Sequence, residues 1–404
     1  MAEPMEEGPT EGELLARARD LQGRIITIDS HDDIPFDFGT DEVDPCQRLE
    51  RQVDIPKMRE GGLDVAFFIV YVDQTERTPE AYERAREQAL TKFQGIHRAA
   101  EELCPDQIGL AFNPEDVERI VGEGKLAAAI GIENGFAIGR DLSLLELYSA
   151  LGANYMTLAH GGHNDIADSA TPEQELGDTA SEHGGLSPFG EEVVAEMNRL
   201  GMMVDISHIS KAAALHAIRI SRAPVIASHS SIRMLADHPR NIDDETLHAL
   251  ADNGGVVQVV AFDGYLKVQP EKVEALRVLR SEFGIEEGGG RGGAPPDSLR
   301  SAYEERLAEI DQRWPRSTVR DFVDHIEYAV DIVGIEHVGI SSDFDGGGGI
   351  DGWDDASETA NVTAELIRRG YSDDQIAQLW GGNLLRVWSE AEQIALGEGA
   401  ATER

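Results

Sequence analysis

The 404-residue chain predicts an α/β fold: a (β/α)8 TIM-type barrel with an insertion between strands 7 and 8. Three observations carry that expectation. Eight short apolar, β-branched runs alternate with longer helical patterns over about 330 residues, the rhythm of a closed parallel sheet with crossover helices. The first run leads into Ser30-His31-Asp32-Asp33, where a doubly wound open sheet would ordinarily carry a Gly-rich phosphate or dinucleotide turn. Finally, ligand-capable side chains recur at the C-terminal edges of the runs, where barrel enzymes build their sites.

In chain order the strands are expected at 25–29 (IITID), 63–72 (LDVAFFIVYV), 126–133 (LAAAIGIE) and 155–159 (YMTLA). They continue at 202–207 (MMVDIS), 224–228 (PVIAS), 256–262 (VVQVVAF) and 338–342 (VGISS), with a short extra strand at 108–112. Helical patterns fill 79–103, 142–151, 188–200, 210–221 and 243–253 between them. Asn113-Pro114 and Ser187-Pro188 each set proline at a first helical position behind a capping residue. The whole chain reads as a single domain with its core at about 20–395. The stretch 282–316 interrupts the rhythm with EEGGGRGGAPP and then a charged helix at 301–314. Between strands 7 and 8 it would lie at the mouth of the barrel, as a solvated excursion or as a lid or dimer contact. Gly346–Gly349 follows the last strand but lacks the Lys-Ser/Thr of a phosphate loop, so it reads as a loop only.

Composition excludes several functions. With 35 Lys+Arg against 76 Asp+Glu the net charge is −41, which disfavours nucleic acid and anionic membrane surfaces as partners. Only six of the cations are Lys. Two cysteines, Cys46 and Cys104, are too few for a disulfide framework or a thiolate zinc site and fit a reducing cytosol. The acidic N-terminus has no signal-like apolar stretch, no run is long enough to span a membrane, and the C-terminus has no lipid-anchor tail. A cytoplasmic protein is expected.

The strand ends concentrate the chemistry. Strand one ends in Asp29-Ser30-His31-Asp32-Asp33, strand three in Glu133-Asn134-Gly135, and strand four in His160. Strand five ends in Ser207-His208, strand six in Ser228-His229, and strand eight in Ser342-Asp343-Phe344-Asp345. A lone His after a strand is ordinarily a hydrogen-bonded loop residue, and a lone Asp or Glu a helix cap. Six such ends around one funnel make independent caps a poor explanation. Imidazoles and carboxylates together suit divalent metals. His31 and Asp33, two apart on extended backbone, could share one ion; His208 and His229 could hold a second, with Glu133 bridging. Two metals sharing a water would generate hydroxide near neutral pH, which is hydrolytic chemistry. No lysine stands at a strand end, so a carboxylated-lysine bridge is not expected.

These segments together resemble the membrane dipeptidase (renal dipeptidase) family of zinc-dependent, amidohydrolase-like barrels. The resemblance runs in order through Ile28–Asp33, Gly131–Gly135, 155–160, 185–190, 204–208, 228–231, Arg240-Asn241, 339–346 and 382–387. It implies two Zn2+ ions, one on His31 and Asp33 and one on His208 and His229, bridged by Glu133. It further implies His160 facing the substrate and stabilising an oxyanion, Arg240 clamping the terminal carboxylate of a dipeptide with help from Tyr265, and Asp343 as the acid/base. A homodimer is also in keeping with the family. Where many relatives carry a tryptophan in the loop after His160, this chain has Ile166, which leaves side-chain preference open. His163 and His183 fall in mouth-side loops, whereas His97, His216, His248 and His337 read as structural. An amidohydrolase for a non-peptide amide or lactone, and a non-catalytic acidic metal binder, stay as alternatives. Most of the remaining acid, including the N-terminal glutamates and 351–358, reads as solvated surface and suits a salt adaptation.

Overall fold

The computed structural model describes residues 8–285, 295 and 297–402. Most of the expected EEGGGRGGAPP linker and the first seven residues lie outside the described residues. Nine strands form one parallel sheet: β1 (Ile28–Asp33), β2 (Val65–Tyr71), β3 (Ile108–Leu110), β4 (Leu126–Glu133), β5 (Ala153–Thr157), β6 (Met203–Asp205), β7 (Ile226–Ser230), β8 (Val256–Val260) and β9 (Val338–Ser341). The order is β1-β2-β4-β5-β6-β7-β8-β9, with β3 hanging on β4 as the expected extra strand. The Asp33 N–H donates to Phe344 O (2.8 Å), so β1 meets the end of β9 and the eight-strand ring nearly closes.

The strands read as continuous apolar runs because both of their faces are covered. Alternate residues point inward: Val65, Phe67 and Ile69 meet Ala127, Ala129 and Tyr155, while Leu384, Val387 and Trp388 from the helix Asn383–Thr402 join the same inner cluster. The intervening residues, Ala66, Phe68 and Val70 among them, pack outward beneath the helices. Helix starts follow local chemistry. Thr78, Asn113 and Ser187 each accept a backbone N–H at the N-cap, and proline opens each helix behind them.

Four expectations change. Strand β1 begins at Ile28 and runs to Asp33, so the His-Asp-Asp segment lies inside the strand. The excursion between β8 and β9 starts well before 282, with helices Asp263–Leu266 and Pro270–Glu282. The charged helix appears at Arg300–Arg313 with no buried residue, and Asp311 reaches back to Lys272 (3.1 Å). The two cysteines are joined as Cys46–Cys104, tying the loop after β1 to the turn that ends helix Pro79–Arg98. The count of two masked the pair because 58 residues separate them. Closing a loop of that size contributes roughly 2–4 kcal/mol to stability. Segment 351–358 is also partly core, since Trp353 is fully buried.

His325, buried on helix Val319–Val333, accepts the Ile232 N–H on Nδ1 (3.1 Å) and keeps Nε2 3.2 Å from Leu266 O. It thereby clamps the loops that follow β7 and β8. Burial pushes its imidazole down to about 4. Because the folded value lies below the ordinary one, neutral His325 stabilises the fold above pH ~6.5, and that contribution fades as pH falls toward 4, by up to about 3 kcal/mol. The urea midpoint of the wild type should therefore drop more steeply over this range than that of His325→Gln. Parallel profiles would exclude His325 as the cause.

Candidate metal centre

At the C-terminal edge of the ring, a cavity of about 1090 Å³ is lined by eight of the nine expected site residues: Asp33, Glu133, His160, His208, His229, Arg240, Tyr265 and Asp343. The ninth, His31, is fully buried behind that wall. Strand irregularities aim the histidines. Between Asp29 and Asp32, β1 carries one more residue than β2, and between Ala227 and Ser230, β7 carries one more than β8. Both bulges fall at the histidine, where the extra residue re-aims the side chain. His208 and Asp343 both take left-handed backbone (φ 66° and 59°), an uncommon conformation for such residues that persists only where surroundings enforce it.

Glu133 is the centre. Its Oε2 lies 3.6 Å from His31 Nε2, while its Oε1 lies 3.0 Å from His208 Nε2, 3.4 Å from His229 Nε2 and 3.7 Å from His160 Nε2. On the first side, His31 Nε2 is also 3.6 Å from Asp33 Oδ2 and 3.9 Å from Asp343 Oδ1. On the second, the Nε2 atoms of His208 and His229 converge to 2.7 Å. Gly346 is required beside them, since a Cβ there would stand 2.2 Å from Asp33 Oδ2 and 2.4 Å from Asp343 Oδ1.

Charge follows geometry. Burial alone would push the Glu133 carboxyl up, but His31, His160, His208 and His229 hold it well below the usual carboxylate range. Burial pushes Asp33 up to about 6, with Glu133 adding to the effect, and pushes Asp343 well above its ordinary value. For His31, burial works downward, but Glu133, Asp33 and Asp343 outweigh it and raise the imidazole to about 9. Burial drives His208 and His229 far down, so both stay neutral. Neutral imidazoles facing converging carboxylates form a donor set for a borderline divalent cation.

The fit extends outward. The Tyr155 hydroxyl donates to Ser30 O (2.9 Å), so its oxygen accepts from His31 Nδ1 (2.9 Å), which makes Nε2 the atom that would give up its proton to a metal ion. That Nε2, fully buried, has no hydrogen-bond partner. Ser228 Oγ donates to Asp205 Oδ2 (2.6 Å) and accepts from His229 Nδ1 (2.8 Å), which fixes the same tautomer on the other side. Such outer partners orient metal ligands and raise their basicity. Tyr155 packs under Gly131, where any Cβ would lie 2.3 Å from the ring.

The rest of the wall separates expectation from outcome. Arg240 donates to His229 O (3.1 Å), lies 5.3 Å from the centre of the Tyr265 ring, and keeps a buried Nε–H without a partner. His163 and His183 stand outside the wall, hydrogen-bonded to Thr179 O (2.9 Å) and Asn164 O (2.8 Å). Ile166 is buried against the turn after β4 and does not line the cavity. Sequence reasoning missed His238, whose ring lies tilted against Tyr265 (4.7 Å), and the cavity cations Arg51 and Lys92. Lys92 had a signal: it interrupts an otherwise apolar stripe, Ala81, Ala85, Ala89, Lys92, Ile96, on the buried face of its helix.

The barrel and the His/carboxylate cluster define the class of metal-dependent barrel hydrolases. Residues 15–401 match the profile of the membrane dipeptidase family (Peptidase family M19). Dipeptidase aclJ of Aspergillus oryzae is 33% identical over 86% of this chain and 72% of its own length, and dipeptidase ataJ of Aspergillus terreus is 33% identical over 96% and 89%. Among solved structures, the "probable dipeptidase PvdM from Pseudomonas aeruginosa" superposes with a TM-score of 0.84 at 36% identity, covering 95% of this chain and all of that one. The chain belongs to the membrane dipeptidase family and is a metal-dependent hydrolase of peptide bonds.

Removing an outer partner should loosen the centre without touching a ligand. Ser228→Ala, which strips His229 Nδ1 of its acceptor, and Tyr155→Phe, which does the same for His31, should each weaken metal affinity about ten- to a hundredfold. Competition with a chromophoric chelator measures this. Wild-type affinity in both variants would refute the tautomer assignment.

Proposed function

We propose that this chain is a dipeptidase that works with two zinc ions, one held by His31 and Asp33 and the other by His208 and His229, with Glu133 bridging. The observation that carries this is the division of labour on one buried carboxylate: the two oxygens of Glu133 face two separate imidazole sets. His160 also comes near Glu133, but its side chain is 28% exposed against 9% for His208 and 2% for His229, which favours a substrate-facing role. Zinc bound there would polarise the peptide carbonyl and acidify a water.

The chain's own residues do the remaining work. Arg240, buried and without a carboxylate partner among the described residues, holds the substrate's terminal carboxylate in its planar fork beside Tyr265. So fixed an anchor beside His229 admits a carboxylate only one residue beyond the scissile bond, which limits substrates to dipeptides. His160 donates to the negative charge developing on the carbonyl oxygen. Asp343, on the cavity wall beside His31 and Asp33, takes the proton of the attacking water and delivers it to the departing amine. Among the described residues no helix is long and apolar enough to cross a membrane. The Cys46–Cys104 pair favours an oxidising compartment over the cytoplasm that the cysteine count suggested. The resemblance implies a homodimer, and a solution mass of twice the 44.0 kDa chain is the expected result.

Elemental analysis of the purified protein, coupled to a panel of L,L and L,D dipeptides, tests the reading directly: about two zinc ions per chain and hydrolysis are expected. Asp343→Asn should keep its metal and lose about 10²–10⁴-fold in kcat. Arg240→Ala should raise KM for dipeptides about tenfold or more. An unchanged KM, with cleavage of non-peptide amides, would favour the amidohydrolase alternative. An intact function in Asp343→Asn would favour a non-catalytic metal binder.

A further inference from the structure

Five cations line the cavity: Arg51, Lys92, Arg240, Lys267 and Lys272. Three are spoken for. Arg51 Nε lies 3.4 Å from Asp345, Lys267 Nζ 2.6 Å from Asp321, and Lys272 Nζ 2.9 Å from Asp263. Among the described residues, Arg240 and Lys92 have no carboxylate within ion-pair distance, although both are buried (4% and 3% exposed). Burial disfavours an ammonium without a close counter-ion, and at Lys92 the charges of Asp33, Glu133 and Asp73 work against that cost.

The surroundings of Lys92 are built. Its Nζ sits 5.1 Å from the centre of the Phe36 ring and 5.5 Å from that of Tyr71, two aromatic faces that favour a cation. The nearby acid Asp73 is already engaged by the Tyr71 hydroxyl (2.8 Å). Phe36 follows β1 and Tyr71 ends β2, whereas Arg240 follows β7 and bonds to its last turn of backbone at His229. In the ring order β1-β2-β4-β5-β6-β7-β8-β9, β2 and β7 stand opposite each other. The two unpaired cations therefore face one another across the metal-ligand cluster. If Arg240 takes the terminal carboxylate and the scissile bond lies at Glu133, the residue on the N-terminal side points toward β1 and β2.

We infer that Lys92 determines specificity by binding an acidic side chain on the N-terminal residue of the dipeptide, with Phe36 and Tyr71 flanking its methylene groups. This rests on the dipeptidase reading. The strongly acidic chain would otherwise repel such a substrate, so a dedicated cation is what admits it. The competing role for Lys92 is simple charge balance for Asp33 and Glu133, which would affect acidic and neutral substrates alike.

The test compares kcat/KM for Glu-Ala and its neutral isostere Gln-Ala with zinc-loaded enzyme. Wild type should prefer Glu-Ala by about tenfold or more, as one charge-assisted hydrogen bond allows. Lys92→Met should bring the ratio to near one, and Lys92→Arg should restore most of it. A wild-type ratio near one overturns the inference even if Lys92→Met fails to fold. Equal losses on both substrates in Lys92→Met assign the residue to charge balance and overturn it too. Hydrolysis of neither dipeptide by wild type, with metal bound, brings down the dipeptidase reading itself, and the inference with it.

Discussion

Glu133 is the group on which the site depends. A fully buried carboxylate is held ionised only by polar and charged neighbours, and the imidazoles of His31, His160, His208 and His229, from the ends of four strands, converge on Glu133 and hold it well below the usual carboxylate range. The converse also holds. Asp33, Asp343 and Glu133 crowd His31 so closely that the cluster calls for a cation at its centre, a proton on the imidazole or a metal ion. The fold exists to keep these groups from relaxing apart. Bulges in β1 and β7, left-handed backbone at His208 and Asp343, and the bare Cα of Gly346 are the local distortions through which a regular barrel holds them together.

That rigidity comes from below and behind. Tyr155 crosses the barrel interior from β5 to His31, resting on the space left by Gly131, and Asp205 on β6 holds Ser228 and thereby His229. The inner apolar layer under these hydrogen bonds continues into Trp388 of the C-terminal helix, whose ring lies 5.6 Å from Phe67. Core packing and ligand geometry are thus one continuous structure, so a core substitution near Tyr155 acts on the metal centre as well as on stability.

The cavity wall is more varied than the centre. Arg240, Tyr265, Phe262 and His238 form one cationic and aromatic side after β7 and β8, and Lys92 with Phe36 and Tyr71 forms another after β1 and β2. The segment 263–276, beginning the excursion between β8 and β9, closes the cavity with Lys267, Val268, Lys272 and Val273. The His/carboxylate cluster stands on and at the ends of strands, and the rest of the wall comes from the connections after them, in keeping with how barrels are built.

The strands, the crossover helices and the gathering of His31, Asp33, Glu133, His160, His208, His229 and Asp343 at one mouth were legible in sequence. Apolar runs and capped helix starts are local signals, and polar residues at a repeated edge stand out against them. Register and distance are not local. No pattern shows that β1 begins at Ile28, that Cys46 and Cys104 meet across 58 residues, or that Lys92, in the middle of a helix, reaches the same cavity as Arg240. His163 and His183 fall in mouth-side loops by sequence, and only folding shows that they turn toward backbone carbonyls. Sequence by itself determined which residue types line up at the mouth of the barrel, because alternation and strand polarity are properties of the local chain. Only the tertiary structure decided which of them meet and which cations are left without a partner, because those depend on closure of the ring and on side chains packed from distant segments.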